Sequence, residues 1–325
     1  MGRPDSVDKT APTRGLAEPG EMVVVGYPSI DHIAVLEPGM FPGKTMLVAQ
    51  QWEPATFGGC AANVAVGVRR LGIASSVVFP LGTDEAGARY RAYLASEGVG
   101  LAHVQEVAGR TSSSYFFLHP EGSLELFFDP GVCRGWAPMN LRPRPADWLI
   151  LTVAPLPAVE ACLSIARSRK IRMAWQLKRD EDAFPSRLVP DLLRHSSMVF
   201  MNSEEAQYVC QSVGVTQEQD LLRMGPDILV VTRGRGGCDV FAGSRRIKVP
   251  VVPAVETDPT GAGDGFTAGF LFGLAKGCTP EQAARIGSVV AAFVVEAPGA
   301  QTGLPTLPAL ERRYRAFWGE ALPFS

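Results

Sequence analysis

Short runs of apolar residues alternate with longer segments of helical period along most of this chain, from Met22 onward. The predicted strands are the continuous apolar runs, which are Met22–Val25, Ser76–Phe79, Trp148–Thr152, Arg172–Gln176, Met198–Met201 and Ile228–Thr232. Strands that are apolar without alternation are typical of a parallel sheet covered on both faces. The pattern therefore predicts a buried, mostly parallel sheet.

Segments of helical period fill the gaps between these strands. The predicted helices are Ala61–Leu71, Asp84–Glu97, Pro157–Ser168, Ser203–Ser212, Gly265–Lys276 and a last one from Thr279 to Phe293. Thr83 is a candidate N-cap for the second helix, and Thr279 with Gln282 forms a candidate capping box for the last. The alternation indicates βαβ units, so the predicted fold class is α/β, a doubly wound, mostly parallel sheet with helices on both faces.

Two pairs of predicted strands have no helix between them and do not belong to a βαβ unit. They are Ile33–Leu36 with Met46–Gln51, and Ser112–Leu118 with Leu124–Phe128. We expect them to form a small β subdomain from about 33–51 and 112–128. One domain then spans 22–325 behind a flexible N-terminal tail at 1–21, which lacks the apolar stretch of a signal peptide.

Composition and charge exclude several classes of protein. The 325 residues contain 31 Lys and Arg against 33 Asp and Glu, and the net charge of -2 provides no basic field for nucleic acid. No apolar run reaches the roughly 18 residues that a membrane helix needs. The six cysteines and four histidines are scattered without disulfide or metal-ligand spacing, so we expect free thiols in a reducing, cytoplasmic compartment.

The strongest candidate for chemistry is the segment Asp258–Phe266, which reads DPTGAGDGF. Its glycines permit a tight turn directly before a predicted helix, and the free N–H groups of a helix N-terminus bind anions. Asp264 places a carboxylate beside this anion site, which is unfavourable for simple phosphate binding but useful for phosphoryl transfer. The carboxylate can accept the proton of an acceptor hydroxyl while the amides stabilise the transferring phosphate. The simpler alternative is that Asp264 only caps the helix.

Four further polar segments lie at the ends of predicted strands. They are Gly26–Asp31, Phe57–Asn63, Asn202–Glu205 and Thr232–Gly237. Ligands of open α/β sheets bind beyond the carboxyl ends of the strands, so we expect these loops to form one site with the glycine-rich turn. The carboxylate of Asp31 and the amide of Asn63 suit the vicinal hydroxyls of a polyol.

Together these motifs resemble the ribokinase-like (phosphofructokinase-B) family of carbohydrate and nucleoside kinases, over nearly all of residues 22–310. The family's Asp-x-Thr-Gly-Ala-Gly-Asp signature is matched at Asp258–Asp264, and its Gly-Gly-x-x-x-Asn signature at Gly58, Gly59 and Asn63. In texture the chain is most similar to the archaeal-type nucleoside kinases. The resemblance implies a β-strand lid over the acceptor site, and we expect the small β subdomain to be that lid.

The resemblance also implies roles for individual residues. The expected catalytic base is Asp264, and the expected anion hole consists of the amides of Gly261, Ala262 and Gly263. The residues predicted to bind the acceptor are Asp31, Gly58, Gly59 and Asn63. The residues predicted to lie at the nucleotide are Asn202, Thr232, Gly234 and Gly237. Glu205 is expected to act on magnesium, through water.

The chain departs from the family after a middle strand. Many sugar kinases of the family carry Asp-x-Asn-x-Arg there, whereas residues Ala174–Asp180 read AWQLKRD. Lys178 or Arg179 is a candidate for the positive charge near the phosphates, and Gln176 can equally be an ordinary strand residue. Lid aromatic residues can also form a wall for a base or sugar ring, although strand alternation turns half of them away; these are Phe116, Phe117, Phe127 and Phe128.

We therefore predict a kinase that uses ATP and Mg²⁺ to phosphorylate a hydroxymethyl group of a sugar or of a nucleoside. The expected partner is this small acceptor, without nucleic acid or membrane, and the family implies a homodimer paired through the lid. The acceptor's identity and a requirement for a monovalent cation are left open. The alternative is a non-catalytic sensor of sugar or nucleotide on the same fold; Asp264 argues against it, because binding alone has no use for a base.

Overall fold

The computed structural model describes residues 20–38, 46–120, 124–169 and 171–324, so nearly all of the predicted tail at 1–21 lies outside the described residues. The strands are β1 (Met22–Val25), β2 (Ser29–Leu36), β3 (Val48–Gly58), β4 (Ser75–Gly82), β5 (Gly100–Val107), β6 (Ser113–Leu118), β7 (Leu124–Asp129), β8 (Trp148–Leu151), β9 (Arg172–Gln176), β10 (Met198–Asn202), β11 (Ile228–Thr232), β12 (Cys238–Ala242) and β13 (Arg245–Val249). The helices are α1 (Cys60–Arg70), α2 (Glu85–Ser96), α3 (Leu156–Arg169), α4 (Val189–His195), α5 (Ser203–Val213), α6 (Ala262–Ala275), α7 (Pro280–Val295) and α8 (Leu307–Trp318).

The main sheet has nine strands in the order β13-β12-β11-β10-β9-β8-β1-β4-β5. All neighbours from β11 to β5 are parallel, and only β12 and β13 are antiparallel. The chain moves outward from β1 in both directions, first to β4 and β5 and later to β8 and beyond. A sheet wound in this way opens a crevice at the switch point, here between β1 and β8. The predicted doubly wound α/β fold is confirmed.

Two hydrophobic cores lie on opposite faces of the main sheet, which explains the continuous apolar strands. In β1, Val24 packs into the core that contains α1, α6 and α7, whereas Val23 and Val25 pack into the core that contains α3, α4 and α5. Because successive strand residues point to opposite faces, every residue of β1 is buried. This double burial is the physical reason that the sequence pattern located β1, β9 and β11 to the residue.

A second, four-stranded sheet in the order β3-β2-β6-β7 forms the predicted lid. Two of its strands extend past their predicted bounds, because β2 begins at Ser29 and not at Ile33, and β3 continues to Gly58 and not only to Gln51. Asp31 therefore lies within β2 and not in a loop after β1. The connection at 39–45 lies outside the described residues, and pairing of two lids in a homodimer stays a prediction.

Several elements were not predicted, and some helix starts differ from the prediction; α6 begins at Ala262, three residues before the predicted Gly265. The unpredicted elements are β5, β12, β13, α4 and α8. Asp84, and not Thr83, is the N-cap of α2, since its Oδ1 accepts from the Gly87 N–H at 2.9 Å. The same carboxylate also accepts from the Thr111 N–H at 2.9 Å. This contact is distant in sequence, so the sequence near the helix could not show that Asp84 is the N-cap. The capping box of Thr279 and Gln282 is confirmed.

All six cysteines are free thiols, as predicted from their spacing. Across the described ranges, the helices are too short or too polar to span a lipid bilayer.

Candidate active site

Helix α6 begins at the glycine-rich turn, and Gly261 is its N-cap in the left-handed conformation, with φ of 78°. A side chain at this position would also place its Cβ 2.5 Å from the Cβ of Ala300. Asp258 fixes the turn from below, because its carboxylate accepts from the N–H groups of Thr260 at 2.9 Å and Gly299 at 2.8 Å. The first aspartate of the motif is therefore structural.

The predicted anion hole is only partly available. The Ala262 N–H donates to the Pro259 carbonyl at 3.2 Å, so it is already engaged. Within the described part of the chain, the N–H groups of Gly261, Gly263 and Asp264 have no hydrogen-bond acceptor. Such unsatisfied amides at a helix N-terminus attract an anion. The hole that the structure offers is thus shifted by one residue, with the Asp264 amide in place of Ala262.

Asp264 is buried in the first turn of α6 and is held by two side-chain amides. Asn63 of α1 donates to its Oδ2 at 2.7 Å, and Gln176 at the end of β9 donates to its Oδ1. Gln301 in turn donates to Asn63 Oδ1 at 2.8 Å. Both atoms of the Asn63 carboxamide are thus engaged within the protein, so it positions Asp264; the predicted contact between Asn63 and the acceptor stays a prediction.

Burial raises the pKa of Asp264, and several contacts oppose this effect. They are the hydrogen bond from Asn63, the charge of Lys178, the hydrogen bond from Gln176 and the thiol of Cys60. A buried carboxylate with a raised proton affinity is better suited to accept a proton than a solvated one. The burial and the two amide contacts of Asp264 are thus compatible with the predicted general base, whose role stays a prediction.

A second buried carboxylate, Asp31, lies on the lid where the lid meets the main sheet. The Ser29 hydroxyl donates to Asp31 Oδ1 at 2.5 Å and lies 2.7 Å from the Ser114 hydroxyl. Burial raises the pKa of Asp31 to about 6. A Cβ at Gly58 would overlap the Asp31 carboxylate, and Gly59 has φ of 90° against the Tyr27 backbone, so both glycines are required by close approach.

Glu205 and Asn202 form a capping box at the start of α5. The Glu205 carboxylate accepts from the Asn202 N–H at 2.7 Å and from the Arg179 N–H at 3.3 Å. Both of its oxygens therefore already have partners, and among the described residues no three His, Cys, Asp or Glu side chains cluster as a metal site. Mg²⁺ keeps several waters when it is bound with substrate phosphates, so Glu205 fits a role through water and not as a direct ligand.

Three predicted nucleotide residues lie at the end of β11. Thr232 ends the strand, and Gly234 lies in the following turn with φ of 53° and no atom near its missing side chain. Gly237, by contrast, has φ of 81° and lies directly against the Val249 carbonyl, which leaves no room for a Cβ. Close packing alone accounts for Gly237, whereas Gly234 leaves open space beside the strand end.

Comparison with known proteins bears on the class of this site. The family described as pfkB family carbohydrate kinase matches residues 20–307. The chain belongs to this family. It is 28% identical over 315 residues to a nucleoside kinase of Methanothermobacter thermautotrophicus, a match that covers 95% of this chain and all of the relative.

Solved structures agree with this assignment to the pfkB family. A nucleoside kinase of Methanocaldococcus jannaschii, an archaeal member of the ribokinase family, superimposes with a TM-score of 0.82 and 25% identity over 92% of this chain and 99% of its own. A nucleoside kinase of Burkholderia thailandensis in complex with ADP and inosine has a TM-score of 0.80 over 94% of this chain and 98% of its own, and at 21% identity shows the fold. The predicted ribokinase-like fold and class of carbohydrate or nucleoside kinase are confirmed.

In this pfkB kinase, the sequence analysis did not identify the residues that hydrogen-bond to Asn63 and Asp264. Gln301 lies beyond α7, where no motif or pattern marks it. Gln176 is the last residue of β9, at the carboxyl end of the parallel strands where the site lies. That position is the signal from which a role in the site could have been predicted. The thiol of Cys60 lies beside Asp264 although no sequence neighbour suggests it.

Replacing Asp31 by asparagine should stabilise the kinase in a pH-dependent way. The folded pKa of about 6 exceeds the usual 3.8, so stability present below pH 3.8 is lost as pH rises through 6. The gain in unfolding free energy of Asp31→Asn should be about 2 kcal/mol larger at pH 7.5 than at pH 4.5. Urea unfolding of both proteins at both pH values measures this difference. An equal gain at the two pH values would contradict a raised pKa for Asp31.

Proposed function

We propose that this protein transfers the γ-phosphoryl group of ATP to the hydroxymethyl group of a ribonucleoside. One observation carries the proposal: a buried carboxylate with raised pKa, Asp264, is held by two amides directly beside unsatisfied N–H groups of a helix N-terminus. A base and an anion hole in contact are what transfer of a phosphoryl group to an alcohol requires. A sensor of sugar or nucleotide would have no use for this pairing.

Each part of the site then has a chemical task. Asp264 accepts the proton of the acceptor hydroxyl, and Asn63 and Gln176 keep its two oxygens in place. The N–H groups of Gly261 and Gly263 stabilise negative charge on the transferring group. Magnesium supplies further neutralisation of the donor phosphates when it is bound, with Glu205 reaching it through water.

The acceptor end of the site is a row of side chains across the lid sheet. Phe128 of β7 pairs with Ser114 of β6, and Ser114 pairs with Asp31 of β2. Residues at the same level on neighbouring strands share a face, so these three side chains point to the same side. The Phe128 ring contacts Tyr27, which follows β1, with ring centroids 4.9 Å apart in an edge-to-face arrangement. The row therefore joins a carboxylate to an aromatic wall.

The length of this row favours a nucleoside over a free sugar. Two strand spacings separate Asp31 from Phe128, which is about 10 Å. A free ribose whose hydroxyls contact Asp31 is too short to contact the ring of Phe128 as well. The base of a nucleoside bound in the same way extends toward that ring. The nucleoside kinases among the relatives, and the inosine complex of one similar structure, support the same choice.

An ADP-release screen over nucleosides, pentoses, hexoses and inositols tests the acceptor class. We expect ribonucleosides to give kcat/KM at least about tenfold above any free sugar, since a stacked aromatic contact contributes roughly 0.5–1.5 kcal/mol in addition to apolar burial. Phe128→Ala should raise KM for nucleosides by about tenfold and leave that for ribose unchanged.

Phe127→Ala is the matched control, because Phe127 pairs with Tyr115 and lies on the opposite face of the same strand. It should behave like the wild type. If a free sugar is the best substrate and Phe128→Ala has no effect, the proposed nucleoside acceptor is wrong, whereas the proposed kinase activity still stands.

A further inference from the structure

A series of hydrogen bonds leads from the loop after α7 to the proposed base. Gln301 is buried in this loop, and its Nε2 atom donates to Asn63 Oδ1 at 2.8 Å. Asn63 is also buried, and its Nδ2 atom donates to Asp264 Oδ2 at 2.7 Å. Three buried side chains, from the loop, from α1 and from α6, are therefore joined in one line that ends at Asp264.

The direction of these hydrogen bonds follows from the chemistry of the carboxylate. An ionised carboxylate can only accept, so the Asn63 carboxamide has to turn its N–H₂ group toward Asp264 and its oxygen away from it. A buried amide oxygen needs a donor, and Gln301 supplies one. If the side chain at position 301 had no N–H group, the oxygen of Asn63 would have no donor, and nothing on that side would oppose reversal of its carboxamide. Reversal places an oxygen against Asp264.

Tyr90 fixes the orientation of the Gln301 amide. The Tyr90 hydroxyl donates to the Gly58 carbonyl. A hydrogen bond from the Gln301 side chain to the phenol oxygen opposes the large rise that burial causes in the pKa of Tyr90. A reversed Gln301 amide would place its Oε1 atom against this oxygen, whose own proton already points to Gly58. Gln301 therefore presents N–H₂ to Asn63, and its Oε1 atom stays buried without a hydrogen-bond partner among the described residues.

The backbone of the loop is held independently of the Gln301 side chain. Arg70 Nη1 donates to the carbonyl oxygens of Gln301 and Leu304, each at 2.9 Å. The Nε and Nη2 atoms of the same guanidinium donate to the two carboxylate oxygens of Glu97 at 2.9 and 2.7 Å. Because Arg70 binds the loop through carbonyl groups, a different side chain at position 301 should leave the loop in place.

We propose that Gln301 is a positioning residue for the base, whose amide keeps the Asn63 carboxamide in the orientation that donates to Asp264. This inference rests on the proposed function. In the transfer step, the acceptor oxygen forms a bond to the γ-phosphorus, and its proton passes to a free lone pair of the Asp264 carboxylate. The bond from the γ-phosphorus to the β,γ-bridging oxygen breaks, and its electron pair stays on ADP. Asn63 and Gln301 keep all of their protons.

The orientation of Asn63 decides which form of Asp264 is favoured. A donated N–H favours the ionised carboxylate, which is the form that can act as a base, whereas a reversed amide would raise the pKa of Asp264. Activity that needs the ionised form is lost as pH falls through this pKa, so a higher pKa moves the loss to higher pH. The other titratable groups that act on Asp264, all unchanged by a substitution at position 301, are Cys60, Lys178, Asp31 and Glu205.

Gln301→Met tests the assignment, because it keeps the length of the side chain and removes its N–H groups. With ATP, Mg²⁺ and the best acceptor of the wild type, we expect the acid limb of kcat to move up by about one pH unit, so that kcat on this limb falls about tenfold. The alkaline plateau of kcat and both KM values should stay within about threefold of the wild type. Thr302→Met, the adjacent exposed control, should keep the wild-type profile.

Two further variants separate this role from a structural one. If Gln301 acts through Asn63, adding Gln301→Met to Asn63→Leu should change kcat less than about twofold. Gln301→Leu, which also lacks N–H groups but has another shape, should move the acid limb as Gln301→Met does.

An unmoved acid limb in the Gln301 variants would overturn the inference, and so would a loss of the same size when Asn63→Leu is present. A wild type that forms no phosphoester would instead refute the proposed function, so the two failures are distinguishable.

Discussion

Replacing Asp264 by asparagine is expected to lower kcat by about 10³-fold while ATP and nucleoside still bind. The carboxamide has the shape of the carboxylate but cannot accept the proton of the acceptor hydroxyl. General acid–base catalysis contributes roughly 10²–10⁴-fold to the rate, and the anion hole and bound substrates remain in place in this variant. Steady-state kinetics measure the fall in kcat, and calorimetry with ATP and with the nucleoside measures whether each ligand still binds.

The fold of this variant should survive because one neighbour can adapt. The carboxamide introduced by Asp264→Asn would present an N–H₂ group to Asn63 or Gln176, which both donate to Asp264 in the wild type. The Oε1 atom of Gln176 is buried without a hydrogen-bond partner, so rotation of that amide gives the new donor an acceptor. The melting temperature should therefore stay close to that of the wild type. A kcat within tenfold of the wild type would show that Asp264 is not the base.

Replacing Gly263 by alanine should produce a stable enzyme with little activity. Gly263 lies in α6 with an ordinary helical conformation, and no atom lies within 4 Å of the position that a Cβ would occupy. Nothing in the fold requires a glycine here, and alanine in a helix is favoured by roughly 0.5–1 kcal/mol. The added methyl group projects beside the free amides, so we expect kcat/KM to fall by about 10²-fold as it blocks the approach of the phosphate.

Gly261→Ala is the matched variant in which fold and function should fail together. Gly261 has φ of 78°, which costs an alanine about 1–2 kcal/mol, and its Cβ would collide with Ala300. Urea unfolding and kcat/KM should both drop for this variant, whereas Gly263→Ala should lower activity alone. Full activity of Gly263→Ala would show that the turn does not receive the phosphate.

The sequence predicted the six inner strands of the main sheet, from β11 to β4 in sheet order, because burial on both faces gives each of them a continuous apolar run; the outer strands β5, β12 and β13 were not predicted. The strands β1, β9 and β11 each consist of buried residues almost throughout, and their ends match the prediction. Strand β3 is largely exposed, and β2 is buried or half-buried but is interrupted by the polar residues Ser29, Asp31 and His32. Weak hydrophobic patterning therefore misplaced the ends of β2 and β3, and with them the setting of Asp31.

The sequence predicted the glycine-rich motif of the site, but it did not predict the side chains that hydrogen-bond to Asp264. The glycine-rich turn is local, so its glycines and Asp264 stand together in the sequence. The hydrogen bonds that position Asp264 come from Asn63 of α1 and Gln176 of β9, and Gln301 beyond α7 holds Asn63. These residues are far apart in the sequence and meet only in the folded chain.

Phosphorus NMR of ATP, Mg²⁺ and a ribonucleoside, incubated with wild type or with Asp264→Asn, tests the central claim most directly. The wild type should produce a new phosphomonoester resonance split into a triplet by the methylene protons of the hydroxymethyl group, together with ADP. Asp264→Asn, at equal ligand saturation, should produce that signal about 10³-fold more slowly. Release of inorganic phosphate without an ester, or equal ester formation by both proteins, would contradict phosphoryl transfer with Asp264 as the base.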